Sequence, residues 1–223
     1  MDKITTCVFD AYGTLFDVDA ACRELSKEVG DKWNELSSLW RLRQVEYTWL
    51  RNSMEEYIDF WKITSDALDY AMETLNIKNI KLRKELLSLY LNLEAYPEVK
   101  SVLENIKNMG LKTAILSNGN KKMLESAVSN AKIQDLMDEI LSVDDCKVYK
   151  PSSEVYDLVE SNMGVNKENV LFFSSNAWDM HAASNYGFNT IWVNRFDNKM
   201  EKLPGKPNQI INSLDKIEQV LKN

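Results

Sequence analysis

A chain of 223 residues with 44% hydrophobic content is long enough to bury one substantial core and still carry an insertion. Its formal charge of -7 at pH 7, with no basic stripe, excludes nucleic acid and anionic membrane surfaces as general partners, so any anion must be held by local groups. Apolar runs fall far short of the roughly 20 residues that a bilayer crossing requires.

Ile4 to Phe9 is β-branched and aromatic, which predicts a buried strand, and Gly13 permits a sharp turn shortly after it. The strand ends on a carboxylate, Asp10. In open α/β sheets ligands bind beyond the carboxyl ends of the strands, so Asp10 is placed for chemistry rather than packing. Two residues later stands Tyr12, not a second acid. The opening Met1-Asp2-Lys3 runs into this strand without a signal-peptide pattern. With three cysteines (Cys7, Cys22, Cys146) in no metal-like spacing, a reducing cytoplasm is expected.

From about Leu15 to Ala95 there is no proline, a single glycine (Gly30) and four of the six tryptophans. Leu36, Leu39, Trp40, Val45 and Trp49, then Tyr57, Trp61, Leu68, Met72 and Leu75, recur at helical spacing and predict a small helical bundle. Tyr96-Pro97 closes it. The remaining chain alternates: helices over 98–109, 121–131, 152–163, 178–185 and 213–222, and strands over 113–116, 139–141, 170–173 and 190–193, with 202–208 read only as a loop. The expected fold is α/β, a Rossmann-like parallel sheet with right-handed crossovers formed by residues 1–14 and 96–223. A helical-bundle cap, residues 15–95, is inserted after the first strand.

Four strand ends then carry polar residues: Asp10 to Thr14, Ser117 to Asn120, Lys150-Pro151, and Ser174 to Asp179. This order of acid, hydroxyl, lysine and acid resembles the haloacid dehalogenase superfamily. Six segments sharpen the resemblance to its (S)-2-haloacid dehalogenases: Phe9 to Asp17, Trp40-Arg41 with Gln44, Glu46 to Trp49, Leu116 to Gly119, Tyr149 to Pro151 with Tyr156, and Ser174 to Asp179. Superfamily phosphatases carry an acid two residues after the nucleophile to protonate a strongly basic alkoxide as it leaves. Halide does not need that proton, and the Tyr12 ring suits an apolar pocket wall.

The resemblance implies two displacements. Asp10 attacks C2 of a short (S)-2-haloalkanoate, giving an ester, inversion and free halide, and water then attacks the Asp10 acyl carbon to release an (R)-2-hydroxy acid. Lys150 favours ionised Asp10 and serves the substrate carboxylate. Arg41, with Asn118, faces the leaving halide. Ser117 and nearby backbone, with Ala11 in the same pocket, hold the substrate carboxylate; Thr14 and Ser174 orient Asp10; Asn176 and Asp179, with Tyr156 in the catalytic set, serve the hydrolytic water. Tyr12, Phe60 and Trp178 wall the pocket.

Asp10 and Asp179 balance Lys150 and Arg41, so no cofactor and no metal is expected, although both carboxylates that would flank magnesium in superfamily phosphatases are retained. A homodimer is implied by the relatives. Plainer readings stand beside these roles: Asn176 with Asp179 also reads as a helix-capping pair, Tyr156 as helix packing, Arg43 and the lone His181 as surface residues. A phosphatase of the same superfamily and a non-catalytic relative are the alternative functions.

Overall fold

The computed structural model describes residues 4–222; Met1 to Lys3, where the leader-peptide reading falls, and Asn223 lie outside the described residues. Six strands form one sheet: β1 (Thr6–Phe9), β2 (Lys112–Ser117), β3 (Glu139–Ser142), β4 (Val170–Ser174), β5 (Asn189–Val193) and β6 (Gln209–Ile211). Their order is β3-β2-β1-β4-β5-β6 and every neighbouring pair is parallel. β1 and β4 are buried throughout, which is why both read as unbroken apolar runs rather than as alternating patterns.

The chain winds outward from β1 to β3, then returns to lay β4 on the other side of β1 and winds away again. This reversal makes the gap beyond β1 and β4 the natural crevice of the sheet. Asp10 stands there, its N–H still donating to Phe173 O at 2.9 Å.

The inserted helices are α1 (Ala20–Glu24), α2 (Ser26–Val29), α3 (Trp33–Met54), α4 (Phe60–Thr74) and α5 (Ile80–Leu91). With no Pro or Gly to interrupt it, α3 runs for 22 residues. Asp59 caps α4 by accepting from the Trp61 and Lys62 amides, and Asn79 caps α5 at Leu82 N. Leu36 and Trp40 of α3 are buried in the same core as Ile63, Leu68 and Met72 of α4, and Trp40 Nε1 donates to Thr64 O at 2.8 Å. Trp49, grouped with them by spacing, instead remains 38% exposed.

Outgoing and returning connections of the insertion lie side by side. Gly13 (φ +89°) makes the turn, Ala11 O accepts from the amides of Thr14, Leu15 and Phe16, and Phe16 forms an antiparallel bridge with Ala95. Asp17 N donates to Glu94 O and Tyr96 N to Leu15 O.

The core helices are α6 (Val99–Asn108), α7 (Lys121–Asn130), α8 (Ser153–Met163), α9 (Ala177–Tyr186) and α10 (Ile217–Lys222). Two expectations change at the chain's end. A three-residue edge strand, β6, follows the loop, and the helix expected from 213 begins at Ile217 after a short 3-10 turn at Leu214–Lys216. β6 was too short to show a period-two pattern. Among the described residues, no helix is long and apolar enough to cross a membrane.

Candidate active site

Asp10, 6% exposed, is held by the turn after β1, the turn after β4 and Lys150. Its Oδ2 accepts from Thr14 Oγ1 at 3.0 Å and Asn176 Nδ2 at 2.8 Å, its Oδ1 accepts from Lys150 Nζ at 3.1 Å, and Ser174 Oγ lies 3.5 Å from Oδ2 with its proton turned to Asp179. Thr14 Oγ1 in turn accepts from Ser175 N at 2.8 Å, tying the β1 turn to the β4 turn. These donors fix the direction in which the carboxylate oxygens point.

Lys150, 1% exposed, lies between two acids: Nζ donates to Asp10 and, at 2.8 Å, to Asp179 Oδ2. Asp179, at the start of α9, also accepts from Tyr156 OH at 2.7 Å on Oδ1 and from Ser174 Oγ at 3.2 Å on Oδ2. Burial pushes the Asp179 carboxyl up to about 6, opposed by the Lys150 charge and the Tyr156 hydrogen bond. Burial alone would lower Lys150, but the two acids outweigh it and hold its proton more tightly than usual. Lys150 is therefore a fixed cation at neutral pH.

The capping reading of Asn176 and Asp179 fails. Neither side chain caps α9: Asn176 sends Nδ2 to Asp10 and to Tyr12 O at 3.1 Å, while Asp179 is spent on Lys150, Tyr156 and Ser174. Tyr156 packs against Phe172, Phe188 and Tyr186, and its hydroxyl still reaches Asp179.

Arg41 comes down from α3. Its Nη2 donates to Tyr12 O and to Asn176 Oδ1, both at 3.3 Å, and Nη1 to Gln44 Oε1 at 2.7 Å. Tyr12, Val45, Phe60, Ser117, Asn118 and Trp178 complete the lining of a cavity with Asp10, Arg41, Lys150 and Asn176. Free space at its centre is about 10 Å³, no more than one water molecule occupies. Phe60 lies 5.8 Å from Tyr12 between ring centroids, and Tyr12 closes over Gly119, where an added Cβ would lie 2.8 Å from Tyr12 Cε2. Asn118 Oδ1 accepts from Lys150 N at 2.9 Å, and Ser117 Oγ accepts from Gly119 N at 3.1 Å, leaving its own proton to donate. Ala11 is fully buried beside this lining rather than in it, and what it offers the turn is its carbonyl.

A larger groove of about 720 Å³ lies across Trp178, between Trp49, Pro151, Tyr186 and Leu203. It has no carboxylate, lysine or arginine in its lining, whereas the smaller space is lined by Asp10, Arg41 and Lys150.

Sequence reasoning missed the residues that seal the insertion to the core. Asn52 bonds Tyr149 twice, Nδ2 to its carbonyl at 2.7 Å and Oδ1 from its amide at 2.8 Å; Tyr57 OH donates to Asp144 at 2.7 Å; Asn120 Nδ2 donates to Asp59 at 3.0 Å. Each pair is far apart in sequence, so no local spacing signals it. His181 is buried, not on the surface: the chain at Gly205 folds over it, with Nδ1 2.9 Å from Gly205 O. Arg43 is half-exposed on Glu46 and the Tyr70 ring, away from the cavity.

A family model described as haloacid dehalogenase-like hydrolase matches residues 4–187. The chain is 43% identical to (S)-2-haloacid dehalogenase 4A of Burkholderia cepacia, across 99% of this chain and 96% of that protein, and 42% identical to (S)-2-haloacid dehalogenase 1 of Pseudomonas sp. (strain CBS-3), across 99% and 98%. It superposes on the L-2-haloacid dehalogenase of Xanthobacter autotrophicus, solved with chloropropionic acid covalently bound, with a TM-score of 0.92 and 32% identity over 99% of each chain. With Asp10, Lys150 and Asp179 converging beyond a parallel sheet, and with 43% and 42% identity to the first two of these relatives over 99% of the chain, the protein belongs to the haloacid dehalogenase-like hydrolases, among the (S)-2-haloacid dehalogenases.

Proposed function

We propose that this protein hydrolyses short (S)-2-haloalkanoic acids to (R)-2-hydroxy acids through an ester on Asp10. The observation that carries the reading is a carboxylate at the strand end held by Thr14, Asn176 and Lys150, with an aromatic ring in place of an acid two residues on. Asp10 attacks C2 opposite the halogen, a C–O bond forms as the C–halogen bond breaks, and the halide leaves with the electron pair toward Arg41 and Asn118. Water then adds to the Asp10 acyl carbon, and the C2 oxygen departs as the hydroxy acid. Thr14, Ser174 and Lys150 hold Asp10 in line, while Asn176 and Asp179, steadied by Tyr156, serve the water. Ser117 with neighbouring backbone and Lys150 take the substrate carboxylate, and Tyr12, Phe60 and Trp178 surround its alkyl group.

Residues 15–95 act as the cap and 1–14 with 96–223 as the core. Turnover needs no metal in this reading, because the Lys150 ammonium already bridges Asp10 and Asp179. A cytoplasmic homodimer is the setting we infer: Cys7, Cys22 and Cys146 are free thiols, and Leu42, Leu50 and Met54 expose apolar surface along α3.

Incubation with racemic 2-chloropropionate in the presence of a chelator tests this. Chloride and (R)-lactate from the (S)-enantiomer alone are expected, with no turnover by Asp10→Asn. A single turnover in heavy-oxygen water places the label in the Asp10 carboxylate and not in the lactate; label in the lactate instead overturns the ester.

A further inference from the structure

Gln44 has no part in the chemistry above, yet it makes the shortest contact of the Arg41 guanidinium. Nη1 donates to Gln44 Oε1 at 2.7 Å, whereas both bonds from Nη2, to Tyr12 O and Asn176 Oδ1, are 3.3 Å long. One end of the cation is clamped. The other faces the cavity on bonds weak enough for an incoming anion to replace.

The clamp has only one possible orientation. Gln44 is 1% exposed, and its Nε2 donates to Thr64 Oγ1 at 2.8 Å. The Thr64 hydroxyl has committed its single proton to Phe60 O at 2.7 Å, so towards Gln44 it can only accept. The carboxamide must therefore turn its NH2 to Thr64 and its oxygen to Arg41. Tyr90 OH adds a second donor to that same oxygen at 3.1 Å, and the Tyr90 ring stacks on Tyr12 and packs tilted against Trp40.

We propose that Gln44 is a positioning residue that holds Arg41 for departure of the halide. This rests on the dehalogenase reading and deepens it. A carboxamide suits the task because it accepts a hydrogen bond from the guanidinium without neutralising it. An acid at this position would pair with the cation and draw its charge away from the leaving group; an apolar residue would release it. Either change weakens a stabilisation that develops as the C–halogen bond breaks, and that matters most for the poorer leaving group.

The test compares single-turnover halide release from (S)-2-chloropropionate and (S)-2-bromopropionate in wild type, Gln44→Met and Gln44→Glu. Wild-type release of both halides establishes the underlying activity; no release sinks the dehalogenase reading itself. Given that activity, both variants should slow chloride release more than bromide release, raising the bromide-to-chloride rate ratio about tenfold. Breakdown of the ester should keep its wild-type rate. Gln44→Glu keeps the size of the side chain and its contact with Arg41, so it carries the test if Gln44→Met does not fold. An unchanged ratio, including an equal fall in both rates, overturns the proposal.

Discussion

Tyr156 gives Asp179 a hydrogen bond that helps keep it ionised against the burial that pushes its carboxyl up to about 6. If Asp179 must be a carboxylate to steady Lys150 and the hydrolytic water, kcat should fall as pH drops through about 6. Tyr156→Phe should move that acid limb to higher pH and leave the rate on the alkaline plateau within about tenfold of wild type, as a pH–rate profile would show. A limb that stays where it was would separate Tyr156 from the titration. Asp10, Lys150 and Asp179 were legible because each stands inside a contiguous motif that follows a strand of the sheet. Gln44 appeared in such a motif but without a role, since its partners Thr64 and Tyr90 lie on other helices and only the fold brings them together.

At the scale of elements, the active site depends on loops from opposite halves of the sheet being held in register. Arg195, just beyond β5, contributes from outside the cavity: Nη2 donates to Thr14 O at 2.8 Å, Nη1 to Glu98 at 2.7 Å, and the guanidinium lies 3.8 Å above the Tyr96 ring. It braces the turn that carries Thr14 and the return of the inserted helices at once. Arg195→Met should cost about 1–3 kcal/mol of stability in a denaturant melt, because Glu98 and the Thr14 carbonyl lose their partner, and should lower kcat more than it raises KM. Unchanged stability would mean the brace is idle. The strands and core helices were readable from apolar runs separated by helical periods, whereas β6 and the seals at Asn52, Tyr57 and Asp59 were not, because a three-residue edge strand and long-range polar pairs leave no periodic trace. Spacing also overassigned Trp49 to the bundle interior; it stands instead edge-on to Trp178, 5.3 Å between centroids.

For the whole molecule, the buried charges shape stability against pH. The folded pKa of Asp179 is raised, so the native state holds that proton more tightly than the unfolded chain does; this contribution is full below 3.8 and disappears as pH rises to about 6. Lys150 is also raised, and its contribution persists below 10.5 and is lost only as pH climbs through its higher native value. At Glu98 and Asp138 burial, which raises a carboxyl, is outweighed by Arg195 and Lys107; both are lowered, so their contributions are present at neutral pH and lost as pH falls. Replacing Asp179 by Asn should therefore make the unfolding free energy of the variant, relative to wild type, rise between pH 4 and 6 in denaturant titrations; a flat difference would contradict the raised value.

The bridge of Phe16 to Ala95 brings the two ends of an 80-residue excursion to within a single hydrogen-bonded pairing. For the sheet, that whole excursion is equivalent to a hairpin loop, and its length or content can be exchanged without altering strand order. Descendants of such a scaffold are free to acquire new selectivity by grafting a different lobe at this junction while inheriting the reactive carboxylate intact.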